Sequence, residues 1–449
     1  MKKESGRLPG AFGGETGALP RISHAKGSHM WDMNGNCYVD GSGGPALYCI
    51  GHADARVNQA VSGQMEKIAH AYRLYFNTEA LEELTRIISG KMGADLEEML
   101  FVSSGTEAVE SAMKVALQYH YDRGEPQRVK FIARERSWHG NALMATSLSG
   151  FKARRQPFEG ALFDVGRVGA ANAYRPPEGV GGNALVEHLE NELRNEMERL
   201  GSENVAAFVF EPVVGAAGGA VPAPDGYAKA MTDLCHAHGI LVISDEVMCG
   251  SGRSGVWRAS EEDGIVPDIV AVAKGLAGGY LPLGAAVYTK RVGDAIRAGH
   301  GALVSGQTFN GHTACLAAGV AVQNIIEEER LVERVAERAP KWMRELRERL
   351  DRFDEVGDVR GRGYLVGIEL VADRDEKKPF EPEFAVAGKI GAEAMKRGLI
   401  CYPSSGNVDG VSGDQIILAP AYNATDEVLE EIAAKMEATI GNVLADIRN

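Results

Sequence analysis

The sequence predicts an α/β protein: a large, mostly parallel sheet flanked by helices, with a smaller α/β domain. Three observations predict it. Short apolar, β-branched runs alternate with longer stretches of helical periodicity. Several of those runs stop on a polar or charged residue and then glycine, as strands do on leaving a buried sheet. The 449 residues are enough for one large and one smaller core. The expected division is 1–55 for an N-terminal arm and part of the small domain, 56–325 for the large domain and 326–449 for the rest of the small domain.

Residues 1 to about 30 are glycine-rich and polar and read as an extended arm. Trp31 to Asp40 reads as a hairpin turning at Asn34-Gly35. Gly41 to His52 is a glycine-rich loop containing Tyr48 and Cys49. Met99 to Val102 is a strand, followed by the small-residue loop Ser103-Ser104-Gly105-Thr106 and a helix to about Tyr121. Strand, tight loop and helix N-terminus together make an anion site, because the first N–H groups of a helix lack partners within it. Val129 to Ala133 is the next strand, and Trp138-His139-Gly140 follows it, a pair whose rings suit a flat aromatic ligand. Val205 to Phe210 ends at Glu211-Pro212, and Ile240 to Ser244 ends at Asp245-Glu246-Val247. A carboxylate on the end of a buried strand is either paired or functional. Ile269 to Val272 runs into Ala273-Lys274-Gly275, and Gly284 to Thr289 is a further strand. Beyond the polar loop Ser305 to His312, helices run to about Phe353. A strand near Tyr364–Leu370, a helix near Ala385–Arg397 and a strand over Gln415–Leu418 make the smaller region. Thr425 is a plausible N-cap for the last helix, whose stripe is Val428, Leu429, Ile432, Met436 and Ile440.

Composition excludes some classes. The net charge of -14 argues against a nucleic-acid surface. No apolar run reaches membrane-spanning length, and the most apolar stretch, near Val205 to Val221, is interrupted by Glu211 and Pro212. Met1-Lys2-Lys3-Glu4 is not followed by an apolar stretch of signal-peptide type. The six cysteines form no Cys-x-x-Cys pair and read as reduced thiols, with no metal site, in a cytoplasmic protein.

Lys274 is the centre of the chemical reading. A lysine on a buried strand end is usually one that snorkels to solvent. Burial, however, disfavours an ammonium, and a neutral amine attacks an aldehyde where an ammonium cannot. Parallel sheets place ligands at the carboxyl ends of their strands. By that rule the Ser-Gly-Thr loop, Trp138-His139, Glu211, Asp245 and Lys274 share one edge. A planar, phosphorylated aromatic aldehyde would use an amine, a carboxylate, an aromatic face and an anion loop together. Pyridoxal 5'-phosphate (PLP) is such a molecule.

The chain resembles the class III (omega, subgroup II) aminotransferases among the fold-type-I PLP enzymes, from about Trp31 to the final helix, and the resemblance implies a mostly parallel seven-stranded-type sheet in the large domain and a small α/β domain made from the N- and C-terminal parts. The matching pieces are Trp31-Asp32-x-x-Gly35, Ser104-Gly105-Thr106-Glu107-Ala108, Trp138-His139-Gly140, Glu211-Pro212-Val213, Asp245-Glu246-Val247, Lys274-Gly275 and Thr308-Phe309-Asn310-Gly311-His312. The resemblance implies that Lys274 carries the cofactor covalently and that Asp245 pairs with its ring nitrogen. It implies that Ser104, Gly105 and Thr106 bind the phosphate, that Trp138 and Val247 pack on the two ring faces, and that His139 and Glu211 belong to the cofactor site. Thr308 would reach the phosphate of a neighbouring subunit, making the unit a homodimer or a dimer of dimers with shared sites. The implied reaction moves an amino group from a primary amine or ω-amino acid to a 2-oxo acid such as pyruvate. Racemases, aminomutases and a decarboxylating transaminase share this architecture, and a non-catalytic PLP-binding scaffold is a further alternative. An amine that alone converts the protein to a stable aminated form singles out transamination.

Three departures bear on the carry-over. Trp138 stands where the family has Tyr or Phe. Met248 replaces a glutamine that would bond the ring hydroxyl. Ile417 occupies the position of a carboxylate-binding arginine in ornithine- and GABA-like members, and no Lys or Arg occurs between Gly398 and Ala434. Tyr48, Arg73 and Arg154 are the candidate substrate residues, with Arg155 as a further cation.

Overall fold

The computed structural model describes residues 19–93 and 95–448. The N-terminal part of the expected arm, residues 1–18, lies outside the described residues. From Ile22 on, the expectation of an arm is corrected. Ile22–Lys26 (β1) and His29–Asp32 (β2) are antiparallel strands, with Lys26 opposite His29 across a Gly27-Ser28 turn. Gly27 has φ +58°, a conformation that glycine takes without steric cost. The strand escaped sequence reading because β1 is mostly exposed and carries no apolar face. The hairpin expected over Trp31 to Asp40 is present. β2 pairs antiparallel with Cys37–Asp40 (β3), and the Asp32 carboxylate closes the turn by accepting from the N–H groups of Asn34 and Asn36 at 2.8 and 2.9 Å.

The large sheet contains Leu96–Val102 (β4), Lys130–Arg134 (β5), Gly166–Val168 (β6) and Val205–Phe210 (β7). After a small hairpin, Val213–Val214 (β8) with Val221–Pro222 (β9), come Leu241–Asp245 (β10), Ile269–Val272 (β11) and Gly284–Thr289 (β12). The spatial order is β4-β12-β11-β10-β7-β5-β6. The neighbours pair in parallel except at β12, which is antiparallel to both β11 and β4. A parallel return needs a crossover of a dozen or more residues, usually through a helix. Residues 273–283 contain only a 3₁₀ turn and glycine-rich loop, so β12 comes back antiparallel. β7, β10, β11 and β12 are buried at every position, as strands covered on both faces by helices are.

The C-terminal part holds Val356–Arg362 (β13), Leu365–Leu370 (β14), Leu399–Ile400 (β15), Tyr402–Ser405 (β16) and Asp414–Leu418 (β17). Four of these form an antiparallel sheet in the order β13-β14-β17-β16, while β15 pairs in parallel with β3. The N-terminal hairpin is thereby stitched to the end of the chain. The last helix, Asp426–Arg448, buries Leu429, Ile432, Met436 and Ile440, and Thr425 Oγ1 accepts from the Val428 N–H at 3.4 Å. Among the described residues no helix is long and apolar enough to cross a membrane.

Candidate active site

The carboxyl ends of β4, β5, β7, β10 and β11 open on one cleft of about 490 Å³. Its walls include Ser104, Gly105, Thr106, Trp138, His139 and Glu211. Asp245, Val247 and Lys274 complete the same wall, and the nine residues come from five well-separated segments of the sequence.

The loop after β4 is built to expose a helix N-terminus. Ser104 caps the helix Gly105–Asp122, its Oγ accepting from the Glu107 N–H at 3.1 Å, while the Glu107 carboxylate accepts from the Ser103 N–H at 2.6 Å. This reciprocal cap holds the first turn open to the cleft. Gly105 is required by close approach: a Cβ there would stand 2.6 Å from Val247 Cγ1. Thr106 Oγ1 accepts from the Asn141 N–H at 3.2 Å, which ties the loop after β4 to the one after β5 and leaves the hydroxyl proton available to a ligand.

The loop after β5 turns its two rings to different uses. Trp138 is half-buried, with the Arg154 guanidinium 4.7 Å from its ring centre and Phe151 edge-on at 6.2 Å. His139 does not supply a stacking face. It is buried, and its Nδ1 lies 2.8 Å from Asp245 Oδ2, while its Nε2 has no protein partner among the described residues. Asp245 Oδ1 accepts from the Val247 N–H at 3.1 Å. Glu211 is equally committed: its oxygens accept from the N–H groups of Trp138 at 3.0 Å and Gly215 at 2.9 Å. Burial raises its pKa, with His139 opposing and Asp245 adding to the rise. Glu211 therefore positions the Trp138 loop. Glu246, next to Asp245, is structural: it accepts from the N–H groups of Ala259 and Ser260.

Lys274 follows β11 at φ +41°, a left-handed conformation that costs a non-glycine residue roughly 1–3 kcal/mol. The turn after it is held from behind. Gln323 Nε2 donates to the carbonyls of Gly275 at 3.1 Å and Leu276 at 3.0 Å, and Trp257 Nε1 donates to Gln323 Oε1 at 2.8 Å. Lys274 opens partly onto the cleft, but the protein packed around it strips most of its hydration. Burial lowers its pKa to about 8, while Asp245 and Glu211 pull the other way. The cleft thus brings together an amine of lowered pKa, a fixed carboxylate and a helix N-terminus.

The structure sorts the remaining candidates. Arg154 lines the cleft and donates to Tyr402 Oη at 3.1 Å. Tyr48 does not form part of the wall: its ring packs against His52 at 4.1 Å and against Gly44 and Gly279, while Gly44, Pro45 and Leu47 line the cleft. Arg73 is placed elsewhere, donating to Asn77 at 3.2 Å and packing over Gly311. Arg155 is bonded to the Ser149 carbonyl and to Glu159. Thr308 is exposed and outside its own chain's cleft, on the loop that also carries Gly311. Met248 sits in an apolar cluster with Val213 and Leu365. Tyr402 and Gln323 were missed by sequence reading. Tyr402 belongs to no motif and meets Arg154 only through the fold, and a glutamine within a helix gives no signal of what it clamps.

A lysine at a strand end of a mixed α/β sheet, beside a carboxylate and a helix N-terminus, defines a fold-type-I transferase. The model of the class III aminotransferases matches residues 14–440, and the chain belongs to that family. An aminotransferase of Gibberella zeae is 40% identical over 425 residues, 93% of this chain and 83% of that protein. An amine transaminase from an uncultivated Pseudomonas species, solved in its PLP-bound form, superposes with a TM-score of 0.90 at 30% identity, covering 99% of each chain. An (S)-enantioselective omega-transaminase from Thermomicrobium roseum gives a TM-score of 0.88 at 32% identity, over 95% of this chain and 93% of that one. The protein is a class III aminotransferase.

Proposed function

We propose that this aminotransferase uses PLP and moves an amino group from a primary amine or ω-amino acid to a 2-oxo acid such as pyruvate. The observation that carries the reading is the depressed amine of Lys274 in one cleft with Asp245 and the N-terminus of the helix Gly105–Asp122. The residues fit the cofactor: Gly105 leaves space a Cβ would fill, the helix end suits a phosphate, and the buried His139–Asp245 pair presents a fixed carboxylate. Ser104, Gly105 and Thr106 would hold the phosphate, Trp138 and Val247 the ring, and Asp245 the proton on the ring nitrogen. Bound there, PLP supplies an aldehyde that takes up the amino group and a ring that accepts electron density. Lys274, neutral in part near neutral pH, carries the cofactor between turnovers and moves the proton at the substrate carbon. His139 holds Asp245 in place.

A dimer with shared sites is part of the proposal. Leu74, Tyr75 and Phe76 are 64–73% exposed, and Phe309, next to Thr308, is 59% exposed. An apolar surface of that kind marks an interaction site. Arg73 packs over Gly311 of the 305–312 loop, so it and Thr308 would approach a partner's cleft together.

The test is a single-turnover spectral screen of the PLP-loaded protein against aliphatic and benzylic amines, β-alanine, GABA, taurine and α-amino acids. The cofactor band should bleach with responders and return on adding pyruvate. A band that none of them bleaches refutes the reading.

A further inference from the structure

Transamination to a 2-oxo acid brings a carboxylate into a cleft that already holds two buried carboxylates, Asp245 and Glu211. An anion entering such a site needs a fixed positive charge. In relatives of the ornithine and GABA type the expected source is the final strand, but Ile417 on β17 is buried in an apolar cluster. Among the described residues, those that line the cleft carry two amine or guanidinium cations, Lys274 and Arg154, and the first is committed to the reaction. Arg73 lies elsewhere, and Arg155 is bonded to Ser149 and Glu159.

Arg154 is held in a manner that suits an anion site. Its guanidinium carbon lies 4.7 Å from the Trp138 ring centre and 5.0 Å from that of Phe151, two rings set edge to face. The two aromatic contacts hold the guanidinium at the cleft wall, and a guanidinium binds carboxylate through its N–H groups. Nη2 donates to Tyr402 Oη at 3.1 Å, and a phenol that accepts one bond still has its own proton to give. Tyr402 comes from β16, so the pair closes the cleft from the side of the small sheet.

We propose that Arg154 and Tyr402 form the carboxylate subsite of this cleft. The substrates are then carboxylate-bearing amines and oxo acids, and amines without a carboxylate are poor donors. Arg154 binds the carboxylate, and Tyr402 positions the guanidinium and adds a second donor. The proposal rests on the aminotransferase reading and narrows its donor class.

The test compares wild-type holoenzyme with Arg154→Leu, Arg154→Lys and Tyr402→Phe in single turnovers with L-alanine, β-alanine and GABA, and with 1-phenylethylamine. Propionate serves as an unreactive carboxylate probe, its binding followed by tryptophan fluorescence. Wild type should prefer the carboxylate donors and bind propionate. Arg154→Leu should lower the carboxylate-to-amine ratio of second-order rates about ten- to hundredfold, the size of a lost charge-assisted hydrogen bond, chiefly through weaker apparent affinity. Arg154→Lys should restore part of that ratio, and Tyr402→Phe should cost less than Arg154→Leu. An equal loss for both donor classes, a wild type that reacts only with 1-phenylethylamine, or propionate binding that survives in Arg154→Leu would overturn the subsite. If no donor bleaches the wild type, the aminotransferase reading fails instead, and propionate binding still decides the role of Arg154.

Discussion

A partly desolvated amine with a lowered pKa should show it in its reactivity. At about pH 7.5 an amine of pKa about 8 is neutral for roughly a quarter of its population, whereas an ordinary lysine is neutral for roughly one molecule in a thousand, an advantage of roughly 200-fold for Lys274. The assay is reductive methylation of the cofactor-free protein with formaldehyde and cyanoborohydride across pH 6 to 11. The Lys274 peptide is quantified against peptides of exposed lysines in the same digest. Modification of Lys274 should rise to about pH 8 and then level off, while the exposed lysines keep rising to about pH 10. Asp245→Asn removes a charge that holds the proton on Lys274, so its midpoint should move below that of the wild type. A Lys274 profile that climbs in parallel with the exposed lysines refutes the reasoning. The shift also has a stability sign. Below about pH 8 folded and unfolded chains both hold the proton, and the folded one carries the whole penalty of about 3 kcal/mol. Between about pH 8 and the ordinary lysine value the unfolded chain binds more protons, so this contribution to stability rises with pH.

In the loaded enzyme Asp245→Asn should keep the fold and slow the amine half-reaction by roughly a hundredfold or more in stopped-flow absorbance; wild-type rates would remove Asp245 from the proton-holding role. Gly105→Ala should press on Val247 and speed cofactor loss on dialysis, and Val247→Ala in the same chain should recover retention. If the double variant loses cofactor as fast as Gly105→Ala, the close contact is not the cause. Gln323→Leu leaves the Gly275 and Leu276 carbonyls without their amide donor and should cost about 1–3 kcal/mol in urea unfolding; an unchanged midpoint would show that the clamp behind Lys274 contributes little.

Six of the seven strands of the large sheet were legible as short apolar runs, four of them buried at every position, whereas β6 has only three residues with Arg167 at its centre and was not. β7, β11 and β12 span the residues expected from their pattern alone. Their polar end residues were legible for the same reason: a charge after four to six apolar residues breaks the pattern at the point where the chain leaves the core. β1 was not legible, since an exposed hairpin strand carries polar residues that a loop would also carry. The antiparallel return of β12 rests on the shortness of the 273–283 connection, which shows only once both strands are placed.

The sequence by itself determined the α/β class, the strand ends that carry Lys274, Asp245 and Glu211, and the family to which the motifs belong. The class and the strand ends follow from local composition and spacing, which a linear pattern records, and the family follows from the resemblance of the motifs. Only the tertiary structure decided what those side chains do to one another. It turned His139 onto Asp245, committed Glu211 to the Trp138 loop, kept Tyr48 out of the cleft and set Tyr402 beside Arg154 across 248 residues. Such pairings depend on how loops from separate strands close over one edge of a sheet. The energy that selects them comes from burial and hydrogen bonds between distant segments, and adjacency in the chain says nothing about it.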